Sequence, residues 1–105
     1  MIFEKTFGEI IKKLREAKNL PLREVAEALE IDTSMLGKIE KNRRKPNRLL
    51  IERIASFFNV NSKDLTIAFL SDELVYYVLD EEDYASEVFK VAEEKMNYIK
   101  AKRNT

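Results

Sequence analysis

Apolar residues recur at helical spacing along most of the 105-residue chain. The first set follows the i, i+3, i+4, i+7 spacing of one helical face and consists of Phe7, Ile10, Ile11 and Leu14. Thr6 precedes this set and Glu9 follows it by three positions, which is the pattern of a capping box. The spacing therefore predicts a first helix over residues 7–17.

Four further short amphipathic segments follow the first one. Their inward-facing residues are Leu22, Val25, Ala26 and Leu29; Leu36 and Ile39; Leu50, Ile51, Ile54, Ala55 and Phe58; and Leu65, Ala68 and Phe69. Residues suited to helix boundaries separate the segments: Pro21 for the first turn of the second helix, Asp32 or Thr33, Asn47, and Asn61 or Ser62 as N-caps, and Asn42 as a left-handed stop. The pattern predicts five helices within residues 1–70.

The last third of the chain has a different pattern. Residues 74–79 fit either a short helix or a strand, because they combine apolar spacing with β-forming residues. The acidic block 80–83 suits a helix N-terminus. The final helix carries a heptad-like apolar stripe that consists of Ala85, Phe89, Ala92, Met96 and Ile99. Lys100, Lys102 and Arg103 lie at the C-terminal end of this helix.

Composition narrows the chemistry that the chain can perform. It has no Cys and no His, which excludes thiol chemistry, Ser-His triads and metal sites built on those ligands. With only two Gly and two Pro, a turn-rich β-sandwich or barrel is disfavoured. We expect an all-α protein without a cofactor. The short apolar runs and the absence of a signal-peptide pattern lead us to expect no membrane association and a cytoplasmic location.

Charge is distributed unevenly although the formal net charge is zero. Residues 38–53 contain seven basic and two acidic residues, a net charge of +5, whereas residues 1–37 carry −1 and residues 54–105 carry −4. A basic segment on a neutral chain points to a polyanionic partner.

Residues 20–46 contain two short helices joined by a tight turn, the arrangement of a helix-turn-helix. The segment Leu20 to Glu40, its continuation to Pro46 and the stretch Ile54 to Leu65 resemble the Cro and lambda-repressor-like (Xre-type) helix-turn-helix family. The resemblance covers roughly residues 5–70. It implies a five-helix lambda-repressor-like DNA-binding domain over residues 1–70. The different pattern of the rest of the chain predicts a C-terminal helical extension over residues 71–105.

By this resemblance, the outer face of the third helix lies in the major groove. The positions expected to read base edges are Thr33, Ser34, Gly37 and Lys38. Lys can donate to guanine O6 and N7, while Ser and Thr serve either type of base. Gly37 has two interpretations: it allows a close approach to DNA, or it is merely tolerated on an exposed face.

Phosphate contacts are expected from the basic loop and its neighbours. These residues are Arg23, Lys41, Arg43, Arg44, Lys45 and Arg48. The family usually has Thr or Ser at Pro21 and Gln at Leu22, so the second helix has to contact phosphate through Arg23 or its backbone. The alternative for the loop is a solvated surface whose charge is balanced by Glu40 and Glu52.

Structural roles are expected for three further features. Glu40 is expected to orient Arg43 or Arg44. Glu30 stands where the family often has Gly, and we expect it to add strain. Four tyrosines outside the basic segment fit core or dimer contacts better than stacking on single-stranded bases; these are Tyr76, Tyr77, Tyr84 and Tyr98.

The final helix is expected to form a homodimer interface, with an intramolecular brace as the alternative. The residues at its centre are Phe89, Ala92, Met96 and Ile99. Two-fold dimers match palindromic operators whose half-sites lie one DNA turn apart.

Together these features predict a transcriptional regulator that binds a palindromic duplex operator as a homodimer, of the restriction–modification controller or phage-repressor type. Contact with RNA polymerase, or occlusion of it, is the mechanism that this implies. The alternative is an antitoxin that binds a toxin protein, for which the acidic, tyrosine-bearing segment 72–84 is the feature to test. An enzyme is not expected, because carboxylates such as Glu81 and Asp83 are the only candidate catalytic residues.

Overall fold

A computed structural model describes residues 5–104, and within them the chain forms six α-helices and no strand. The helices are α1 (Phe7–Ala17), α2 (Leu22–Leu29), α3 (Thr33–Glu40), α4 (Arg48–Phe58), α5 (Ser62–Val78) and α6 (Ala85–Arg103). A short 3₁₀ turn, Leu79–Glu81, separates the last two helices. The all-α prediction is confirmed, and α1 has the predicted bounds.

Short polar side chains start several of these helices. Thr6 and Glu9 form the predicted capping box of α1, and the Asn47 side chain accepts a hydrogen bond from the Leu50 N–H at the start of α4. At α3 the cap position belongs to Asp32, but its side chain makes no capping hydrogen bond. Pro21 is the N-cap of α2 and lies just before its first turn, one residue earlier than predicted.

The first four helices all end at a non-glycine residue in the left-handed conformation. These residues are Asn19, Glu30, Asn42 and Asn59, with φ between 55° and 60°. Each is followed by the paired backbone hydrogen bonds of a Schellman motif. Three of the four are Asn, whose short polar side chain tolerates this conformation, whereas Glu30 has no such tolerance.

Residues 5–72 form one unit around a single hydrophobic core. The core takes in the inner faces of α1 to α4 and the N-terminal part of α5, with Ile11, Leu36, Ile54 and Leu65 fully buried. At one edge of the core the Phe7 and Phe69 rings meet edge-on with their centroids 5.5 Å apart. Asp72 on α5 accepts a hydrogen bond of 2.7 Å from the Phe7 N–H, which satisfies a donor at the start of α1.

Residues 73–104 form a second unit. Residues 74–78 are helical and continue α5, so the choice between helix and strand is resolved in favour of helix. The prediction that the acidic block 80–83 forms the first turn of the final helix is wrong. The chain passes through the 3₁₀ turn and Tyr84 before α6 begins. The basic last turn of α6 is confirmed, with Lys100, Lys102 and Arg103.

Candidate nucleic-acid interface

Helices α2 and α3 pack through small and aliphatic side chains, and this packing determines which face of α3 points outward. Ala26 of α2 is buried, and the inner side of α3 contributes Leu36 and Ile39 to the same core. On the opposite side Ser34 and Lys38 are exposed, whereas Thr33 and Gly37 are half-buried. The four residues expected to read base edges therefore lie on or beside one accessible face.

Gly37 has an ordinary helical backbone, so its conformation does not require glycine. A Cβ added there would lie 3.4 Å from Leu22 Cδ2, an ordinary van der Waals contact. The structure therefore has room for alanine at this position. The fold of the domain therefore does not require glycine at position 37.

The C-terminal end of α3 sets the direction of the basic loop. Asn42 has φ 60°, the Asn42 N–H donates to the Ile39 carbonyl over 3.0 Å, and the Arg43 N–H donates to the Lys38 carbonyl over 2.8 Å. Arg43 directly follows the left-handed residue that ends α3. At the equivalent position after α1, α2 and α4 the residue is aliphatic and packs against the core; these residues are Leu20, Ile31 and Val60. At α3 the same place carries an exposed arginine.

The basic loop is open to solvent along its length. Its exposed cationic residues are Lys41, Arg43, Arg44 and Lys45, and Arg48 follows in the first turn of α4. Pro46 is buried and Asn47 caps α4, which fixes the end of the loop, while the Arg43 N–H to Lys38 carbonyl hydrogen bond fixes its start. Arg23 lies exposed on α2, with its Nε 3.8 Å from a carboxylate oxygen of Glu27. The structure thus presents all six expected phosphate-binding residues at the surface.

The prediction that Glu40 orients Arg43 or Arg44 is wrong. Glu40 lies on the inner side of α3, where it is buried and accepts two hydrogen bonds from Arg15 of α1, over 2.8 Å and 3.0 Å. Arg15 also donates to the Leu20 carbonyl over 2.9 Å. The hydrogen bond to Glu40 raises the pKa of the Arg15 guanidinium above its ordinary value. The Glu40 charge is therefore used inside the domain and does not pair with the loop.

A second contact between α1 and the end of α3 was missed by the sequence analysis. Asn42 Oδ1 accepts from the Gly8 N–H over 2.9 Å, and Asn42 Nδ2 donates to the Thr6 hydroxyl over 2.9 Å. A Cβ on Gly8 would lie only 2.5 Å from the carbonyl oxygens of Ile39 and Glu40. Glycine in the first turn of α1 is the signal that could have revealed this close approach.

The tyrosines and the acidic block lie on the surface. The exposed fractions of Tyr76, Tyr77, Tyr84 and Tyr98 are 49%, 86%, 64% and 64%. The interpretation of these residues as core residues is therefore wrong, and dimer contact stays a prediction. The side chains of the acidic block 80–83 are exposed as well.

The apolar stripe of α6 is exposed to solvent. No residue of α6 is buried, and Phe89, Met96 and Ile99 are 40%, 55% and 49% exposed. Ala92 is also exposed, and it lines an open apolar depression together with Val88 and Val91. The four residues expected at the dimer interface are thus accessible along one side of α6. No helix in the described part of the chain is long and apolar enough to span a membrane.

Comparison with known families gives one result that bears on this geometry. A family model described as "Helix-turn-helix" matches residues 11–65, from the middle of α1 to the first turn of α5. The match includes α2, α3 and the basic loop. No curated protein and no solved structure gives a significant match to the chain.

Proposed function

Because the chain belongs to the helix-turn-helix family, a family of DNA-binding transcriptional regulators, we propose that it binds a specific duplex DNA site as a homodimer and regulates transcription there. The observation that carries the proposal is the position of the exposed Ser34 and Lys38 face directly before a loop of exposed cations. A helix inserted into the major groove brings its flanking loop against the phosphates.

The residues divide into two roles. Lys38 and the hydroxyls of Thr33 and Ser34 read base edges, and Gly37 lets the helix backbone approach the bases. The cations that position the domain on the backbone are Arg23, Lys41, Arg43, Arg44, Lys45 and Arg48. These contacts carry affinity and salt dependence, whereas the α3 face carries sequence preference.

The homodimer is supported by the accessible apolar stripe of α6. Phe89, Met96 and Ile99 expose 40–55% of their surface at heptad-like spacing, which is the pattern of a helix that packs against a partner helix. A two-fold dimer presents two α3 helices to a palindromic operator. Such a regulator acts in the cytoplasm without a cofactor, as a restriction–modification controller or a phage-type repressor does, by occluding or contacting RNA polymerase.

A second candidate function is toxin binding by an antitoxin. It is favoured by the surface segment in which Tyr77, 86% exposed, and Tyr84 flank the acidic block 80–83. Exposed tyrosines beside carboxylates would suit a basic protein partner. In that case DNA binding would serve to regulate the operon that encodes the pair.

The first test is selection of bound sites from a random duplex library with the full-length chain. The enriched site is then titrated against salt with the wild type and three variants, Lys38→Ala, Arg44→Ala and Lys90→Ala. Lys90 is an exposed lysine of α6, so its variant removes the same charge outside the helix-turn-helix.

The proposal expects an inverted repeat and a steep fall in affinity with rising salt. Lys38→Ala should cost about 1–3 kcal/mol on the selected site and little on random DNA. Arg44→Ala should weaken binding to both and reduce the salt slope by about one for each protomer. Lys90→Ala should match the wild type. Failure to enrich any motif would reject specific DNA binding and favour the toxin-binding alternative.

The dimer is tested separately by light scattering with Met96→Glu and Asn97→Glu. Both introduce one carboxylate at neighbouring positions of α6, but only Met96 belongs to the apolar stripe. The proposal expects Met96→Glu to give monomers and Asn97→Glu to leave dimers. If the two variants had the same oligomeric state, the apolar stripe would not form the dimer interface.

A further inference from the structure

Charge is segregated along the second unit of the chain. The segment 80–87 carries five acidic residues and no basic one, namely Asp80, Glu81, Glu82, Asp83 and Glu87. From residue 95 to residue 103 the order is reversed, with four basic residues and no acidic one, namely Lys95, Lys100, Lys102 and Arg103. All nine residues are exposed, so this helical segment has an acidic end and a basic end.

The apolar stripe runs between these two ends on one side of α6. Its members alternate by four and three residues: Ala85, Phe89, Ala92, Met96 and Ile99. On a helix with about 3.6 residues per turn they form a band, and Lys90, Glu94 and Asn97 fall on the opposite side. No residue of α6 is buried, so this band is available along its whole length.

We propose that this band packs against α6 of a second copy of the chain, running antiparallel. The two-fold axis crosses the band at the level of residue 94 along the helix. The inference rests on the homodimer proposed above and adds its geometry. A parallel pair would place the acidic ends side by side and the basic ends side by side. An antiparallel pair places each acidic end against the basic end of its partner, and it also opposes the two helix dipoles.

The apolar residues agree with this arrangement. With the axis near residue 94, Phe89 lies opposite Ile99 of the partner subunit and Ala92 lies opposite Met96 of the partner subunit. The small Ala92 then faces the larger Met96 across the middle of the band, and Phe89 and Ile99 form the apolar pairs on either side. Because the axis is two-fold, every contact occurs twice and a single surface serves both copies.

The basic end meets its complement in the same arrangement. Lys100 and Arg103 come level with the start of the partner's α6, near the acidic block 80–83 that precedes that helix, whereas Glu87 lies on the side of α6 away from the band. The Lys102 ammonium lies 5.8 Å from the centroid of the Tyr98 ring within its own helix, on the same end. Attraction between exposed charges is screened by salt, so the dimer should weaken as salt rises.

Disulfide cross-linking distinguishes the two orientations, and the chain offers a clean background because it contains no Cys. We would prepare the full-length variants Ala85→Cys and Arg103→Cys, mix them in reduced form and oxidise the mixture. Positions 85 and 103 are about 27 Å apart along one helix at 1.5 Å per residue. A disulfide requires Cα atoms within about 7 Å, so it cannot bridge that offset.

The antiparallel pair predicts a disulfide between the two different variants and none when either variant is oxidised alone. Disulfides formed only between identical variants would show a parallel pair and overturn the proposal. A dimer by light scattering that gives neither product would place the interface elsewhere, which rejects this geometry while the homodimer stands. A monomer would reject both. Specific DNA binding is measured independently by the site selection.

A charge-reversal pair provides the second measurement. A variant with Lys100→Glu, Lys102→Glu and Arg103→Glu should dimerise more weakly by itself. It should regain affinity when mixed with a chain carrying Glu81→Lys, Glu82→Lys and Asp83→Lys, because every end of that heterodimer faces the opposite charge. This regain shows that the loss is electrostatic, whereas the weakening of the first variant by itself tests the orientation. Equal affinity of the reversed variant and the wild type at low salt would contradict the electrostatic argument for the antiparallel orientation.

Discussion

Both carboxylate oxygens of Glu40 accept hydrogen bonds from the Arg15 guanidinium, at 2.8 Å from Nε and 3.0 Å from Nη2, so that α1 is tied to the last turn of α3. The two side chains are 13% and 6% exposed. A charge pair this well shielded depends on both partners, because removal of one leaves the other charged group without its partner in a poorly solvated site. The pair supports the helix from which the basic loop departs.

The first prediction compares Glu40→Gln with Glu52→Gln. Both variants remove one acidic charge near the basic loop, but Glu52 is exposed on α4. Glu40→Gln should lower the free energy of unfolding by about 2–3 kcal/mol, because Arg15 loses its counter-charge. Glu52→Gln should change it by less than about 0.5 kcal/mol. Chemical denaturation measures both values, and equal effects would mean that the ion pair contributes little.

The second prediction concerns Glu30, which ends α2 with φ 60°. A left-handed conformation costs a residue with a Cβ about 1 kcal/mol relative to glycine, and the nearby Arg53 guanidinium, 3.8 Å from the Glu30 carboxylate in an exposed pair, recovers little of it. Glu30→Gly should therefore raise the free energy of unfolding by about 1 kcal/mol. The matched variant Asn59→Gly should raise it less. A loss of stability in Glu30→Gly would show that the strain expected from the sequence is absent.

Most of the fold was predictable because its signals are local. The capping box at Thr6 and Glu9 involves residues three positions apart, and Asn47 caps the helix that directly follows it. Such partners lie close together in the chain, so a sequence pattern reveals them. The exposure of Ser34 and Lys38 follows in the same way from the positions of Leu36 and Ile39 on the other side of α3.

The features that escaped prediction depend on contacts between distant segments. The local pattern pairs Glu40 with arginines three and four residues away, but its partner Arg15 is separated from it by 25 residues. The requirement for glycine at position 8 likewise appears only when the carbonyl of Ile39 approaches α1. Residues 75–78 favour strand by local preference, but in the folded chain they continue α5. Local preference alone does not determine that outcome.

The third prediction uses the two glycines of the chain, which differ in their surroundings. In Gly8→Ala the new methyl group would lie 2.5 Å from two backbone carbonyl oxygens, so α1 and α3 must separate. We expect a loss of about 1–3 kcal/mol. In Gly37→Ala the methyl meets only a leucine methyl at 3.4 Å, and better helix propensity should give a gain approaching about 1 kcal/mol.

Gly37→Ala also separates the two interpretations of that residue on DNA. A variant that is more stable but binds the selected operator more weakly would show that the bare backbone is needed for close approach. Unchanged operator affinity would show that glycine is only tolerated on this face. Thermal unfolding and binding titration of the same preparation give both values.

The fourth prediction concerns pH. Hydrogen bonds from the Thr6 hydroxyl, at 2.7 Å, and from the Thr6 backbone N–H lower the pKa of Glu9 below its ordinary value of 4.5. Because the pKa is lower in the folded state, the capping box adds stability above the unfolded pKa and loses it as pH falls through the folded pKa. The stability difference between the wild type and Thr6→Val should therefore narrow in acid.

The measurement is denaturation of both proteins at neutral pH and near pH 3, with the Glu9 titration followed by NMR. Thr6 also accepts a hydrogen bond from Asn42, which does not titrate, so part of the difference should persist in acid. Glu9→Gln is the control, because it removes the titrating group and should make the effect of Thr6→Val independent of pH. A Glu9 pKa that is unchanged in Thr6→Val would contradict the assignment.

The fifth prediction separates the role of Arg43 in folding from its role on DNA. Its N–H closes the Schellman motif of α3 by donating to the Lys38 carbonyl, but that hydrogen bond uses the backbone, and the arginine side chain is exposed. At the same position after α1, α2 and α4 the chain has aliphatic residues. Arg43→Leu should therefore change the free energy of unfolding by less than about 0.5 kcal/mol.

On DNA the same substitution removes a cation from the loop that lies against the phosphates in the proposed complex. Affinity should fall on the selected operator and on random duplexes by the same factor, and the salt slope should decrease by about one for each protomer. Asn42→Ala is the contrasting variant, because it removes the hydrogen bonds to Gly8 and Thr6 and should lower stability without removing a charge. If Arg43→Leu kept full affinity for both DNAs, Arg43 would not contact phosphate, and the phosphate contacts of the loop itself would have to come from Lys41, Arg44 and Lys45.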